Sequence, residues 1–330
     1  MNRSIQYFRV IGLLAVCFIH VNAFGVFGEK QSVGFVVDEI SRFAVPVFFM
    51  ITGFFLREEV FNEPRKYFVS LAWKLLLPAL TWTIIYWCLD NSGLFSAKVF
   101  TGGVKAYLAV PFTGGAGTHL WFLPALFMGA ALCVAGIRTF GSRKFLCITL
   151  LLYLAGVGLG AYQKQFGFQI QSVFYRNGVL FAPLFLMLGY EIARNGIKTS
   201  ILSALTIAIA GAILHLYEGA LTLRYPMGHD YSIGTVLFSV GVFLSILAIP
   251  SNKGSWLSEL GSNVLDGYLV HLAILRVLVE FIAWRGILSA VGLALATWAL
   301  SLAFAKIVQP SYRINILIAR FEGIVTPNKA

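Results

Sequence analysis

Residues Phe8–Phe27 read FRVIGLLAVCFIHVNAFGVF, an apolar run interrupted only by Arg9, His20 and Asn22. Twenty such residues at about 1.5 Å each match a hydrocarbon core of roughly 30 Å, so the stretch predicts a membrane-spanning helix. Arg9 and His20 stand eleven positions apart. That spacing is three turns plus about 20°, which puts both on one face with roughly 16 Å between them. An arginine at a membrane edge serves topology as readily as chemistry. A histidine more than halfway down an apolar helix is costly, and by default it marks a functional site. The structural alternative for His20 is a hydrogen bond to a neighbouring helix.

The rest of the chain extends this pattern. Of 330 residues, 58% are hydrophobic and 12% charged, and the mean hydropathy is +0.82. Soluble domains carry about 25% charged residues, so the composition implies an all-α, polytopic membrane bundle. Net charge is +11. No soluble basic domain is present to hold a duplex, and basic residues gather at cytoplasmic span ends, so nucleic acid is excluded as a partner. Cys17, Cys88, Cys133 and Cys147 all lie in apolar stretches and form neither CxxC nor a Cys/His cluster. Neither a disulfide framework nor a metal site is indicated. The first 25 residues also imitate a secretory signal, with Arg3 and Arg9 before the apolar run and Ala23 after it. The many spans that follow favour retention of this segment.

Ten spans are expected: Phe8–Phe27, Ile40–Leu56, Phe68–Leu89, His119–Gly136, Phe145–Tyr162, Asn177–Ala193, Thr199–Tyr217, Ser232–Ile249, Val264–Trp284 and Gly286–Val308. The whole chain, 1–330, reads as one integral membrane domain with a tail at 309–330. With the N-terminus inside, sixteen Lys and Arg fall on the cytoplasmic side and nine outside. The positive-inside rule therefore favours N-in and C-in in the plasma (inner) membrane. The clearest anchors are the loops Arg57–Lys66 and Arg138–Lys144. The loop Asp90–Thr118 then lies outside, with Gly102, Gly103, Gly114, Gly115 and Gly117. It suits a binding loop and a flexible connection equally. The loop Gly25–Ser41, with Glu29, Lys30, Asp38 and Glu39, lies outside too.

Other polar residues each have two readings. His119, beside Trp121, suits an aromatic belt or an acceptor site. His271 suits an interhelical bond, with Asp266 as a possible partner, or a substrate contact. Arg276 and Glu280, four apart on one span, are expected to neutralise each other. His215 and His229 are expected to be solvated at the outer surface. Pro46 is expected to kink the second span. Thr52 and Gly53 form either a polar notch or a tight helix crossing.

Four segments, in order, resemble the acyltransferase-3 family of integral membrane acyltransferases. They are Arg9 with His20 eleven residues on, Val45-Pro-Val-Phe-Phe-Met-Ile-Thr-Gly-Phe-Phe-Leu56, His119-Leu-Trp-Phe122 and Tyr268-Leu-Val-His271. Together they cover nearly the whole chain. Two positions depart from the family's pattern. Gln6 stands where an aspartate is usual, which removes the expected partner of Arg9, and Thr52 replaces a serine while keeping a hydroxyl.

The resemblance implies transfer of an acyl group, commonly acetyl from acetyl-CoA, to a hydroxyl of a surface carbohydrate or its lipid-linked precursor. His20 is then the catalytic base, because a hydroxyl near pH 7 needs one. Arg9 is the cofactor-binding candidate, its planar fork suited to the CoA phosphates. His119, Trp121, Thr52 and His271 are the candidate substrate-binding residues. No metal is expected. Expected partners are acyl-CoA, the glycan acceptor and the bilayer, with polysaccharide-assembly proteins or a homo-oligomer as further possibilities. Two other classes stay open: a transporter using His20, Asp266, Arg276 and Glu280 as relay groups, and a non-catalytic scaffold in which His20 and Arg9 are replaceable.

Overall fold

The structure is a computed structural model that describes residues 3–57, 59–92, 119–167, 169–222, 230–249, 259–282 and 285–311. Among the described residues the regular structure is entirely helical. The helices are α1 (Arg3–Ala23), α2 (Gln31–Ser41), α3 (Ala44–Phe54), α4 (Glu59–Asn62), α5 (Pro64–Asn91), α6 (Phe122–Phe140), α7 (Ser142–Leu159), α8 (Ala182–Arg194), α9 (Ile201–Leu221), α10 (Ile233–Ala248), α11 (Val264–Glu280) and α12 (Ile287–Ser311). Single 3₁₀ turns at Ser172–Phe174 and Gly261–Asn263 precede α8 and α11.

Helix α1 is the post around which the bundle is assembled. It touches α2, α3, α10, α11, α12 and the turn Gly261–Asn263. Ile5, Val10, Leu13, Val16, Cys17 and Val21 face inward, whereas Ile11 is 53% exposed and faces outward, as a lipid-contacting position would. Three close pairs flank it: α3 with α8, α9 with α10, and α11 with α12. Small residues permit the close crossings, as expected where lipid supplies no hydrophobic drive between helices. A side chain at Gly53 would overlap the Leu186 carbonyl, and one at Gly189 would overlap the Met50 carbonyl. Gly53 is therefore the floor of a tight crossing.

Seven of the described helices are long and apolar enough to cross a membrane: α1, α5, α6, α7, α9, α11 with its preceding turn, and α12. The other expected spans are shorter. The segment Ile40–Leu56 is divided between the end of α2 and the 11-residue α3, Asn177–Ala193 becomes the 13-residue α8, and Ser232–Ile249 the 16-residue α10. Pro46 does not kink a span. It is the third residue of α3, where its missing N–H is one that the first turn leaves unbonded anyway. Asp90, expected in a loop, lies in the last turn of the 28-residue α5 and is buried. The glycine-rich stretch 93–118, His229 and the tail after Ser311 fall outside the described residues.

Candidate active site

Three helical segments bring three histidines together. His20 comes from the last turn of α1, His119 from the turn entering α6, and His271 from the middle of α11. Ring centroids lie 5.0 Å apart for His20 and His271, 5.0 Å for His119 and His271, and 6.1 Å for His20 and His119. His119 and His271 are buried, while His20 is partly exposed. The two buried rings thus flank the one partly exposed ring.

Local hydrogen bonds fix the buried rings. His271 Nδ1–H donates to the Tyr268 carbonyl one turn earlier. His119 Nε2–H donates to the Leu269 carbonyl at 3.4 Å, and the Tyr268 hydroxyl donates to the His119 carbonyl. A carbonyl only accepts, so these contacts set the tautomers. Nε2 of His271 and Nδ1 of His119 are left as lone-pair nitrogens, buried and without a partner among the described residues. Tyr86 of α5 braces the same turn of α11. Its hydroxyl donates to the Leu269 carbonyl at 2.8 Å and accepts from Ala273 N–H at 3.1 Å. Those two backbone groups are the pair an α-helix bonds directly, so Tyr86 bridges this turn.

The remaining candidates are distributed along the bundle. Arg9 lies three turns down α1 from His20, and its Nη1–H donates to the Gln6 amide oxygen at 3.4 Å. The glutamine at the departed position therefore still offers Arg9 an acceptor. The Thr52 hydroxyl donates to the Phe48 carbonyl of its own helix at 3.2 Å. It sits roughly 12 Å along α3 from Ala44, by helix rise. Trp121 lies under the Arg176 guanidinium, whose carbon is 4.9 Å from the ring centroid.

Comparison with known proteins bears on this constellation. An acyltransferase-domain family model matches residues 2–306. The chain belongs to the acyltransferase-3 family. The acyltransferase chain is also similar to a serine/alanine racemase of Enterococcus gallinarum, 29% identical over 82% of this chain and 40% of the relative. An amino-acid racemase of Enterococcus faecalis is 29% identical over 81% of this chain and 40% of the relative. The chain thus spans about two fifths of the length of these curated relatives. No solved structure gives a significant match.

Several expectations for this acyltransferase-family chain are corrected. His215 is not solvated. It is fully buried, its Nε2 lies 2.9 Å from the Glu39 carboxylate, and its Nδ1 lies 2.8 Å from the Ser232 hydroxyl. The reason is α2, which packs against α9 and covers the ring. His271 turns to the Tyr268 carbonyl rather than to Asp266. Arg276 reaches across to Asp90 on α5 at 2.7 Å, with both side chains almost completely buried. This partner on another helix comes in addition to the reading that joined Arg276 to Glu280.

Sequence reasoning also missed a polar network beside His20. Asp38 of α2 accepts from Asn22 at 3.0 Å and from Arg42 Nε at 2.8 Å. Asp230 Oδ1 accepts from Arg42 at 3.3 Å and from Arg176 at 2.5 Å. Burial pushes the Asp38 carboxyl up from the ordinary carboxylate range, and Arg42 and Asn22 pull it back. Only the Asp38–Arg42 pair, four residues apart, carried a sequence signal. Arg176 and Asp230 come from separate connections, 54 residues apart, so no local spacing joins them.

Proposed function

We propose that the chain is a membrane O-acyltransferase in which His20 is the general base. The reading rests on one observation: three of the resembled motifs, scattered from residue 20 to residue 271, deliver their histidines to a single cluster. His20, the exposed member, takes the proton of an acceptor hydroxyl. The hydroxyl oxygen attacks the thioester carbonyl, the carbon–sulfur bond breaks, and the leaving thiolate receives the proton. His119 and His271 pack behind His20 and hold its ring in place. The donor we propose is acetyl-CoA, with Arg9 holding its phosphates at the N-terminal end of α1. The ~16 Å from Arg9 to His20, set by helix rise, is left for the pantetheine arm. The acceptor we propose is a carbohydrate or its lipid-linked precursor, approached from the opposite end, with the protein N-in and C-in in the plasma membrane.

The test is transfer of labelled acetyl from acetyl-CoA to glycan precursors by reconstituted protein. Loss of product in His20→Ala, with a raised acetyl-CoA requirement in Arg9→Ala, supports both roles. Full activity of folded His20→Ala overturns the reading.

A second reading is favoured by the names of the relatives, which state amino acids as their substrates. In it, the chain carries a small amino acid across the bilayer and the histidines line its route. Uptake of labelled serine or alanine into proteoliposomes lacking acyl-CoA supports transport. Strict dependence on acyl-CoA rejects it.

A further inference from the structure

Arg176 is held more rigidly than a surface arginine. Its guanidinium carbon lies over the Trp121 ring, 4.9 Å from the centroid, and its Nη1 is fixed by the Asp230 carboxylate. The backbone on both sides of that ion pair is clasped as well. The Tyr231 hydroxyl donates to the Tyr175 carbonyl at 2.8 Å, so the dipeptides Tyr175-Arg176 and Asp230-Tyr231 dock as a unit. Gly156 on α7 and Gly160 just past its end, one turn apart, make room for that clasp. A side chain at Gly156 would overlap the Tyr231 hydroxyl, and one at Gly160 would press on the Tyr175 ring.

The rest of the fork is open. Arg176 is 24% exposed, and among the described residues neither Nε nor Nη2 has a protein partner. Trp121 carries it, and Trp121 is two residues from His119, whose ring is 6.1 Å from that of His20. A planar guanidinium with one nitrogen bound and the adjacent donors free, held over an aromatic face, is suited to bidentate contact with a carboxylate or phosphate. Arg9 lies three turns away on α1, so this is a second cationic position, at the other end of the site from the one proposed for the donor.

We propose that Arg176 is an anion-binding residue that receives a carboxylate or phosphate of the substrate whose hydroxyl is presented to His20. The acceptor class narrows accordingly to hydroxyl compounds bearing an anionic group within a few bonds of the reacting oxygen. This proposal rests on the reading of His20 as the base for its link to turnover, but binding of the anion does not require turnover.

The experiment uses full-length protein in nanodiscs, labelled with 5-fluorotryptophan. The Trp121 ¹⁹F resonance is assigned by its loss in Trp121→Phe. Acetate, inorganic phosphate and uncharged glycerol are titrated at constant ionic strength. A saturable Trp121 shift with acetate alone identifies a carboxylate, one with phosphate alone identifies a phosphate, and either supports the proposal. The shift is expected to weaken about tenfold or more in Arg176→Gln. It is expected to weaken also in Arg176→Lys, which keeps the charge and a donor for Asp230 but not the fork. Unchanged resonances of the other tryptophans report that these variants are folded. The shift is expected to persist in His20→Ala, so failure of the acyltransferase reading leaves this result standing. No saturable shift with either anion, an equal shift with glycerol, or an undiminished shift in folded Arg176→Gln and Arg176→Lys overturns the proposal.

Discussion

His20 and His271 are 251 residues apart in sequence, yet their ring centroids lie 5.0 Å apart, at 46° to one another. His271 spends its Nδ1–H on the Tyr268 carbonyl, which leaves its Nε2 as a buried acceptor beside the His20 ring. A bond from a His20 N–H to this lone pair would turn the other His20 nitrogen away from the cluster. If His20 is the general base proposed above, His271 would then be its orienting group, an imidazole in place of a carboxylate.

The expected outcome for His271→Ala is a fall in kcat on the order of tenfold or more, the effect of losing one orienting interaction of about 1.4 kcal/mol. The KM for the acyl donor is expected to stay unchanged, because Arg9, the residue proposed to hold the donor, is untouched. Initial rates of labelled-acetyl transfer at varied donor concentration check this. A rise in donor KM with kcat intact would place His271 in donor binding instead.

Tyr86→Phe removes one hydroxyl and leaves the Leu269 carbonyl and Ala273 N–H without their bridge. A buried backbone group stripped of its partner costs about 1–3 kcal/mol. The expected result is a lower thermal midpoint in detergent, together with reduced activity, because the bridged turn carries His271. Full stability would mean that α11 closes the Leu269–Ala273 bond by itself.

The fold class was legible because about twenty apolar residues in a row have one stable solution in a bilayer. His20 was legible for a related reason: the cost of an imidazole at depth singles it out. Its convergence with His119 and His271 was not, since that depends on how α1, α6 and α11 pack. The short helices were misjudged because hydropathy measures apolarity and not the length of regular structure. In α3, apolar residues continue past both ends of an 11-residue helix. The loop before α3 concealed a helix for the opposite reason. Asp38 and Glu39 made α2 look solvated, whereas both are buried against Arg42 and His215. A charge compensated by a distant partner reads in sequence as an exposed one.

Asp90 and Arg276 offer a direct measure of that compensation. Their side chains are 2% and 1% exposed and 2.7 Å apart. Removing one partner of such a pair strands the other charge and costs about 3–5 kcal/mol, whereas neutralising both costs less. Asp90→Asn and Arg276→Gln are each expected to unfold at markedly lower temperature than the wild type. The double variant is expected to recover part of the loss. Additive losses in this double-mutant cycle would show that the two groups are not coupled.

The Glu39–His215 contact should govern whether α2 stays on the bundle. Helix α2 has 11 residues, too few to span a bilayer, and it docks through side chains that sit at 0% and 1% exposure, Glu39 on His215 and Asp38 on Asn22 and Arg42. Gly219 supplies the room, because a side chain there would press on the Phe35 ring and the Glu39 carboxylate. Glu39→Ala removes the buried acceptor that faces His215, and the cost of about 1–3 kcal/mol for a stranded polar group falls locally, on the element that Glu39 anchors. Hydrogen exchange is therefore expected to accelerate in the amides of α2 while those of α9 stay protected. Glu39→Gln, which keeps a hydrogen-bonding oxygen for His215, is expected to exchange more slowly than Glu39→Ala. Equal, wild-type protection of α2 in both variants would mean that Asp38 and Arg42 hold the helix without Glu39. Because Arg42 closes α2 and shares Asp230 with Arg176, an undocked α2 is also expected to disturb the mouth beside His20, and activity should fall in the same order as protection.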